Sequence, residues 1–140
     1  MGCPLLRLSF ADSLHGWTVG WHLGHRNTFS YCILHTEDGG GTWYRQRGGT
    51  GTAEGVSFID ANPGWAVGHD GIVPVHGVIY HTVNGGNTWT VKRLPFRIIL
   101  HGVAFLDARN GVAVGSQRQI IRTSDGGNVW TDGTIDPSCE

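Results

Sequence analysis

The side chains best suited to chemistry fall into three sets. His22 and His25 have a spacing that metal ligands use, but no carboxylate or cysteine stands beside them at a diagnostic distance along the chain. Surface histidines account for them, and no metal or other cofactor is expected. Asp12, Asp60 and Asp107 recur at one place in three segments. Two carboxylates held ~5–9 Å apart can hydrolyse a glycosidic bond, whereas regular recurrence fits aspartates that cap turns. Arg45, Arg47, Lys92, Arg93 and Arg97 form a loose basic set, a candidate protein-contact surface whose competing account is plain solubility.

Cys3, Cys32 and Cys139 are an odd number without metal-type spacing, so at most one pair can bridge. Cys3 and Cys139, near the two ends, are the pair singled out, within one chain or between two; free thiols are the expected state. Between Met1 and Phe10 no basic stretch precedes a long apolar one, so no export signal is visible and the compartment stays open. Met1-Gly2-Cys3 lacks the Ser or Thr that myristoylation wants at position 6, where Leu6 stands.

The elements that must hold these groups are written in the composition. Of 140 residues 23 are Gly, with six Trp, three Tyr and five Phe. Many tight turns joining short packed strands fit that mixture, and disorder does not. A formal net charge of −1 gives no support for nucleic acid as a partner. No apolar run approaches the ~20 residues of a membrane span, so no membrane contact is expected.

Two patterns occur three times each. Phe10-Ala-Asp12 with Gly16-Trp17-Thr-Val19-Gly20 returns as Phe58-Ile-Asp60 with Gly64-Trp65-Ala-Val67-Gly68, and as Phe105-Leu-Asp107 with Gly111-Val112-Ala-Val114-Gly115, in steps of 48 and 47 residues. The second pattern places Thr36, Asp38, Gly40 and Trp43, then Thr82, Asn84, Gly86 and Trp89, then Thr123, Asp125, Gly127 and Trp130. A period in the forties with turn punctuation marks a propeller or solenoid. Alternation within the middle copy predicts four strands near 55–60, 64–68, 78–82 and 88–92, and no 3.6-residue period predicts a helix. Strands apolar on both faces must be covered on both sides, as in face-to-face blades. Each Asp/Asn-Gly corner predicts a hairpin turn, with left-handed backbone at Asp, Asn or Gly, the Thr bonded across it and the Trp folded back over it.

The second pattern resembles the Asp-box, or BNR repeat, Ser/Thr-x-Asp-x-Gly-x-Thr-Trp, with Asn84 and Val129 as its departures here. Together the two patterns resemble the repeat of photosystem II assembly and stability factors over about residues 5–134. That resemblance implies a propeller that binds proteins, holds its partner on an arginine-rich face and is not an enzyme, with relatives often exported or lumenal. Sialidases and other glycosidases carry the box as well, and a carbohydrate-active hydrolase is the alternative. Phe96-Arg97-Ile98 resembles a sialidase arginine segment, but Ile99 replaces its Pro and it lies between the second and third boxes. Tyr31, Tyr44 and Tyr80 are the available tyrosines, but Tyr44 follows a box Trp and Tyr80 lies inside a strand.

The expected fold is therefore an all-β propeller unit of three four-stranded blades, at about 5–48, 54–94 and 101–134. Three blades do not close a ring. A homodimer making six blades is the favoured completion; a trimer or an excerpt of a longer protein are the others. The span from pattern Phe to box Thr is 26, 24 and 18 residues in the three copies, so insertions fall at 21–31 and 69–77 on one rim. Trp21, His22, His25, Arg26, His69, Asp70 and His76 there, with Arg45, Arg47, Arg93 and Arg97, are the candidate binding residues for a protein or glycan. Ordinary solvated loops are the alternative account of both insertions.

Overall fold

A computed structural model describes residues 2–139. It contains twelve strands in three antiparallel four-stranded sheets. The first sheet orders β1 (Leu5–Phe10), β2 (Gly16–Leu23), β3 (Phe29–Thr36) and β4 (Tyr44–Thr50). The second orders β5 (Gly55–Phe58), β6 (Gly64–His69), β7 (Gly77–Thr82) and β8 (Thr90–Arg93). The third orders β9 (Leu100–Phe105), β10 (Gly111–Gly115), β11 (Ile120–Thr123) and β12 (Thr131–Asp132). Among the described residues the only helical turns are three-residue 3-10 turns. Each sheet is one sequence repeat meandering from strand to strand, and the first strands β1, β5 and β9 pack successively beside one another.

Packing follows the alternation. Val56, Phe58, Ala66, Val78, Tyr80 and Trp89 of the middle blade join Trp17, Val19, Tyr31 and Ile33 of the first in one buried cluster. Its other face puts Trp65, Val67 and Ile79 with Leu100, Phe105, Ala113 and Ile121 of the third. The first repeated pattern has a direct physical cause. Phe10, Phe58 and Phe105 lie over the glycine that pairs with each, where an added Cβ would sit 2.6, 2.2 and 2.6 Å from ring carbon. The tryptophan after that glycine then stacks on the Phe of the next blade.

The Asp-box turns use the expected threonine and a different backbone. Thr36, Thr82 and Thr123 each donate Oγ1 to the Oδ1 of Asp38, Asn84 or Asp125 at 2.8, 2.9 and 2.8 Å. Each also accepts the N–H of Gly40, Gly86 or Gly127. The left-handed positions are the paired glycines, from Gly39 (φ 76°) to Gly127 (φ 98°), and not the Asp or Asn. Both departures from the box are thereby tolerated. Asn84 still offers Oδ1 to the Thr88 N–H, and Val129 supplies only its backbone N–H to Asp125. Trp43 and Trp130 fold back to donate to the Gly40 and Gly127 carbonyls. Trp89 is buried in the same place, but its Nε1 has no partner.

The cysteine expectation is corrected. Cys3 is joined to Cys32 of β3, tying the segment before β1 to its own blade, while Cys139 is the exposed free thiol. The first insertion also differs from a loop: it lengthens the β2–β3 hairpin, pairing Trp21 with Tyr31 and Leu23 with Phe29.

Candidate functional site

The meander order puts every β2–β3-type turn and every blade-to-blade connection on one rim, and the Asp-box turns on the other. Two candidate regions of the sequence, the rim insertions and the basic connections, therefore share a side of the molecule. They meet in the middle blade. Arg93, closing β8, donates Nε to Asp70 Oδ2 at 2.8 Å and places an Nη 2.7 Å from His76 Nδ1. Asp70 also accepts the backbone N–H groups of Ile72 and His76, both at 3.1 Å, so its carboxylate shapes the loop that it belongs to. Burial works to raise the Asp70 carboxyl, but Arg93 and those N–H groups outweigh it and hold it below the ordinary carboxylate value.

His69 ends β6 and is buried. Its Nδ1 accepts the Gly71 N–H at 3.0 Å, and its ring meets Phe29 of the first blade edge-on at 5.0 Å. Phe29 in turn contacts Trp21, so the two insertions touch across the blade boundary. Burial lowers the His69 imidazole below its usual value, partly offset by the charges of Glu54 and Asp70.

Three residues missed in the sequence complete this cluster. Glu54, preceding β5, takes a hydrogen bond of 2.7 Å with His101 Nδ1 of β9 and lies 3.8 Å from His69 Nε2. Thr52 donates to Glu54 at 2.9 Å and accepts the His69 N–H at 3.0 Å. The signal was available: Leu6, Glu54 and His101 each stand four residues before the pattern Phe, so these side chains occupy one repeat position on successive blades.

The other candidates stand apart. His25 and Arg26 occupy an exposed 3-10 turn with Arg26 at φ 57°, and His22 is half-buried near them with Nδ1 unpartnered. Arg47 donates to the Tyr31 hydroxyl at 2.9 Å. Arg45 is exposed on β4. Arg97 is exposed between Phe96 and Ile98, which both turn into the second core cluster. Lys92 reaches the Asn128 carbonyl of the third blade. No group of His, Cys, Asp and Glu among the described residues is arranged to hold a metal.

The recurring aspartates act as turn caps. Asp12 accepts the N–H groups of Leu14 and His15, Asp60 that of Asn62, and Asp107 those of Arg109 and Asn110. These bonds hold the carboxyls of Asp12 and Asp107 below their ordinary value. A general acid needs the opposite shift.

Comparison with known proteins bears on the fold. Residues 86–140 match the family described as photosynthesis system II assembly factor YCF48. The photosystem II assembly lipoprotein Ycf48 of Synechococcus sp. (strain CC9902) is 28% identical over 142 residues, covering 94% of this chain and 37% of that protein. YCF48 from Cyanidioschyzon merolae superposes on 98% of this chain with a TM-score of 0.69 and 26% identity. The chain is a BNR-type propeller related to that assembly factor. A second solved structure, YCF48 bound to D1 peptide, covers 93% of this chain with a TM-score of 0.68 and 26% identity. The chain spans 39% and 40% of the YCF48 chains in those structures. No helix among the described residues is long and apolar enough to cross a membrane.

Proposed function

We propose that this chain is a non-catalytic, protein-binding part of a BNR propeller, and that its partner is a peptide segment of a photosystem II subunit of the D1 kind. The observation that carries the reading is the likeness, over 93% of this chain, to a YCF48 structure holding a D1 peptide. The contact surface is the rim where the β2–β3-type turns meet the blade connections. Its fixed part is the Asp70–His76–Arg93 cluster, already satisfied internally. Its free part is Arg97, exposed in the β8–β9 connection and without an ion-pair partner among the described residues; Arg45 stands at the Asp-box end of β4, away from this rim. Guanidinium groups suit a segment that brings carboxylates, because they hold them in two parallel hydrogen bonds. The Cys3–Cys32 bond fits a chain that works in an oxidising compartment.

The test is a titration of a fluorescent D1 peptide followed by anisotropy, at two salt concentrations. Binding should be saturable and weaken with salt. Arg97→Glu should weaken it by about tenfold, ~1.4 kcal/mol, while Arg7→Glu, on β1, should not. No saturable binding, or equal loss from the β1 variant, would overturn the assignment of the rim.

A further inference from the structure

The two blade contacts within the chain are built from the same parts. Trp17 of the first blade stacks on Phe58 of the second with ring centroids 3.5 Å apart and planes 5° from parallel. Its Nε1 donates to the Gly85 carbonyl of the second blade's box at 3.1 Å. Ser9 Oγ, on the same side of β1, accepts the Phe58 N–H at 3.1 Å. The next contact repeats it: Trp65 on Phe105 at 3.6 Å and 4°, Trp65 Nε1 to the Gly126 carbonyl at 2.9 Å, and Ser57 Oγ to the Phe105 N–H at 3.1 Å. Each contact thus has a giving face, a tryptophan and a serine, and a receiving face, a phenylalanine and a box glycine carbonyl.

The open side of the first blade is a receiving face against which no described residue of the giving kind, tryptophan with serine, packs. Phe10 is packed edge-on by its own box Trp43 at 6.0 Å, as Phe58 and Phe105 are by Trp89 and Trp130 at 5.9 and 6.0 Å. Its outer ring face is uncovered, leaving it 40% exposed against 7% for Phe58 and 9% for Phe105. Leu6 and Leu8 beside it are exposed as well. Among the described residues no indole is bonded to the Gly39 carbonyl, the counterpart of Gly85 and Gly126.

The open side of the third blade is not the matching half. Val112 stands where Trp17 and Trp65 stand, and Ala104 where Ser9 and Ser57 stand. Both departures fall on its outward face, with Val112 and Val114 each 44% exposed. A second copy packed end to end would offer Phe10 neither indole nor hydroxyl, which weighs against the six-bladed homodimer that the blade count suggests. The tryptophan-bearing faces of a second copy are already covered by its own next blades.

We propose that the face formed by Phe10, Leu6, Leu8 and the Gly39 carbonyl is a socket for a BNR blade other than this chain's third, one that carries both the Gly-Trp-x-Val-Gly tryptophan and a serine on its first strand. The tryptophan stacks on Phe10 and donates Nε1 to the Gly39 carbonyl; the serine accepts the Phe10 N–H. Continuity with the two internal contacts fixes both the partner and its pose.

The test gives the third blade the missing groups. Wild type should run as one chain in light scattering at micromolar concentration. Ala104→Ser with Val112→Trp should shift it to a mass of two or more chains, and adding Phe10→Ala should return it to one. In a second arm, the triple variant serves as donor only and is mixed with wild type. Native mass spectrometry should then show a one-to-one complex, lost when the wild type is replaced by its Phe10→Ala variant. Two results would overturn the proposal: wild type associating through Phe10 without the added tryptophan, or the double variant remaining a single chain and the mixture forming no complex.

Discussion

At the residue scale, the tryptophan of the first repeated pattern is the unit that makes blades into one body. Trp65 is 1% exposed, stacked between His81 of its own blade and Phe105 of the next, with Nε1 bonded to Gly126. Two substitutions separate its contributions. Trp65→Ala empties the stack and should cost about 3–5 kcal/mol, as loss of a large buried aromatic does. Trp65→Phe keeps a ring against Phe105 but leaves the half-buried Gly126 carbonyl without its donor, for about 0.5–1.5 kcal/mol. Urea unfolding measures both; no loss from Trp65→Phe would show that the indole nitrogen is immaterial, and equal losses that the stack is. The recurrence of this residue was plain in the sequence. Its partner was not, because Phe105 lies 40 residues on and only a blade-to-blade packing vector brings the two together. The Glu54–His101 pair shares a repeat position that the sequence shows, but its contact, like that of Trp65, follows only from blade-to-blade packing.

At the scale of single elements, the Asp-box hairpin was the most legible part of the chain, since its hydrogen bonds close within a few residues of sequence. Only the backbone differed from expectation: two consecutive glycines take the left-handed region, freeing the Asp or Asn to act purely as acceptor. That division of labour has a titratable consequence. Asp38 and Asp125 are held below their ordinary value of 3.8 first by the Thr42 and Val129 N–H groups and then by the box threonines. A folded-state value below the unfolded one means that these carboxylates stabilise the fold above about pH 4, and that this stabilisation is lost as pH falls through the lowered folded values. Asn84 makes the same Oδ1 contacts without a titrating proton. Asp38→Asn with Asp125→Asn should therefore leave the melting temperature near neutral pH little changed and flatten its fall between pH 4 and pH 2. An unchanged acid limb would mean that other groups, such as the turn-capping Asp12 and Asp107, govern it. The Cys3–Cys32 bond marks the limit of such legibility. Its partners are 29 residues apart on a segment and a strand that meet only once β1 has paired with β2.

At the scale of the whole molecule, three blades side by side share two interfaces, so the middle blade is supported twice and each outer blade once. Repeat arrays of this kind gain stability as a sum over units and nearest-neighbour contacts. The burial pattern shows the consequence: β6 is buried along its whole length, whereas β1 is nearly all exposed and β12 entirely so. The outer blades are not equal, because the first has long β2 and β3 strands and the disulfide, while the third closes on a two-residue strand. Native-state hydrogen exchange should therefore be slowest in β6 and β7, intermediate in β2 and β3, and fastest in β11 and β12. Filling the Phe10 face with a tryptophan-bearing blade should raise protection in the first blade and leave the third unchanged, because coupling passes through adjoining faces. Uniform protection across all three blades would contradict this ranking and show the chain opening as one cooperative unit.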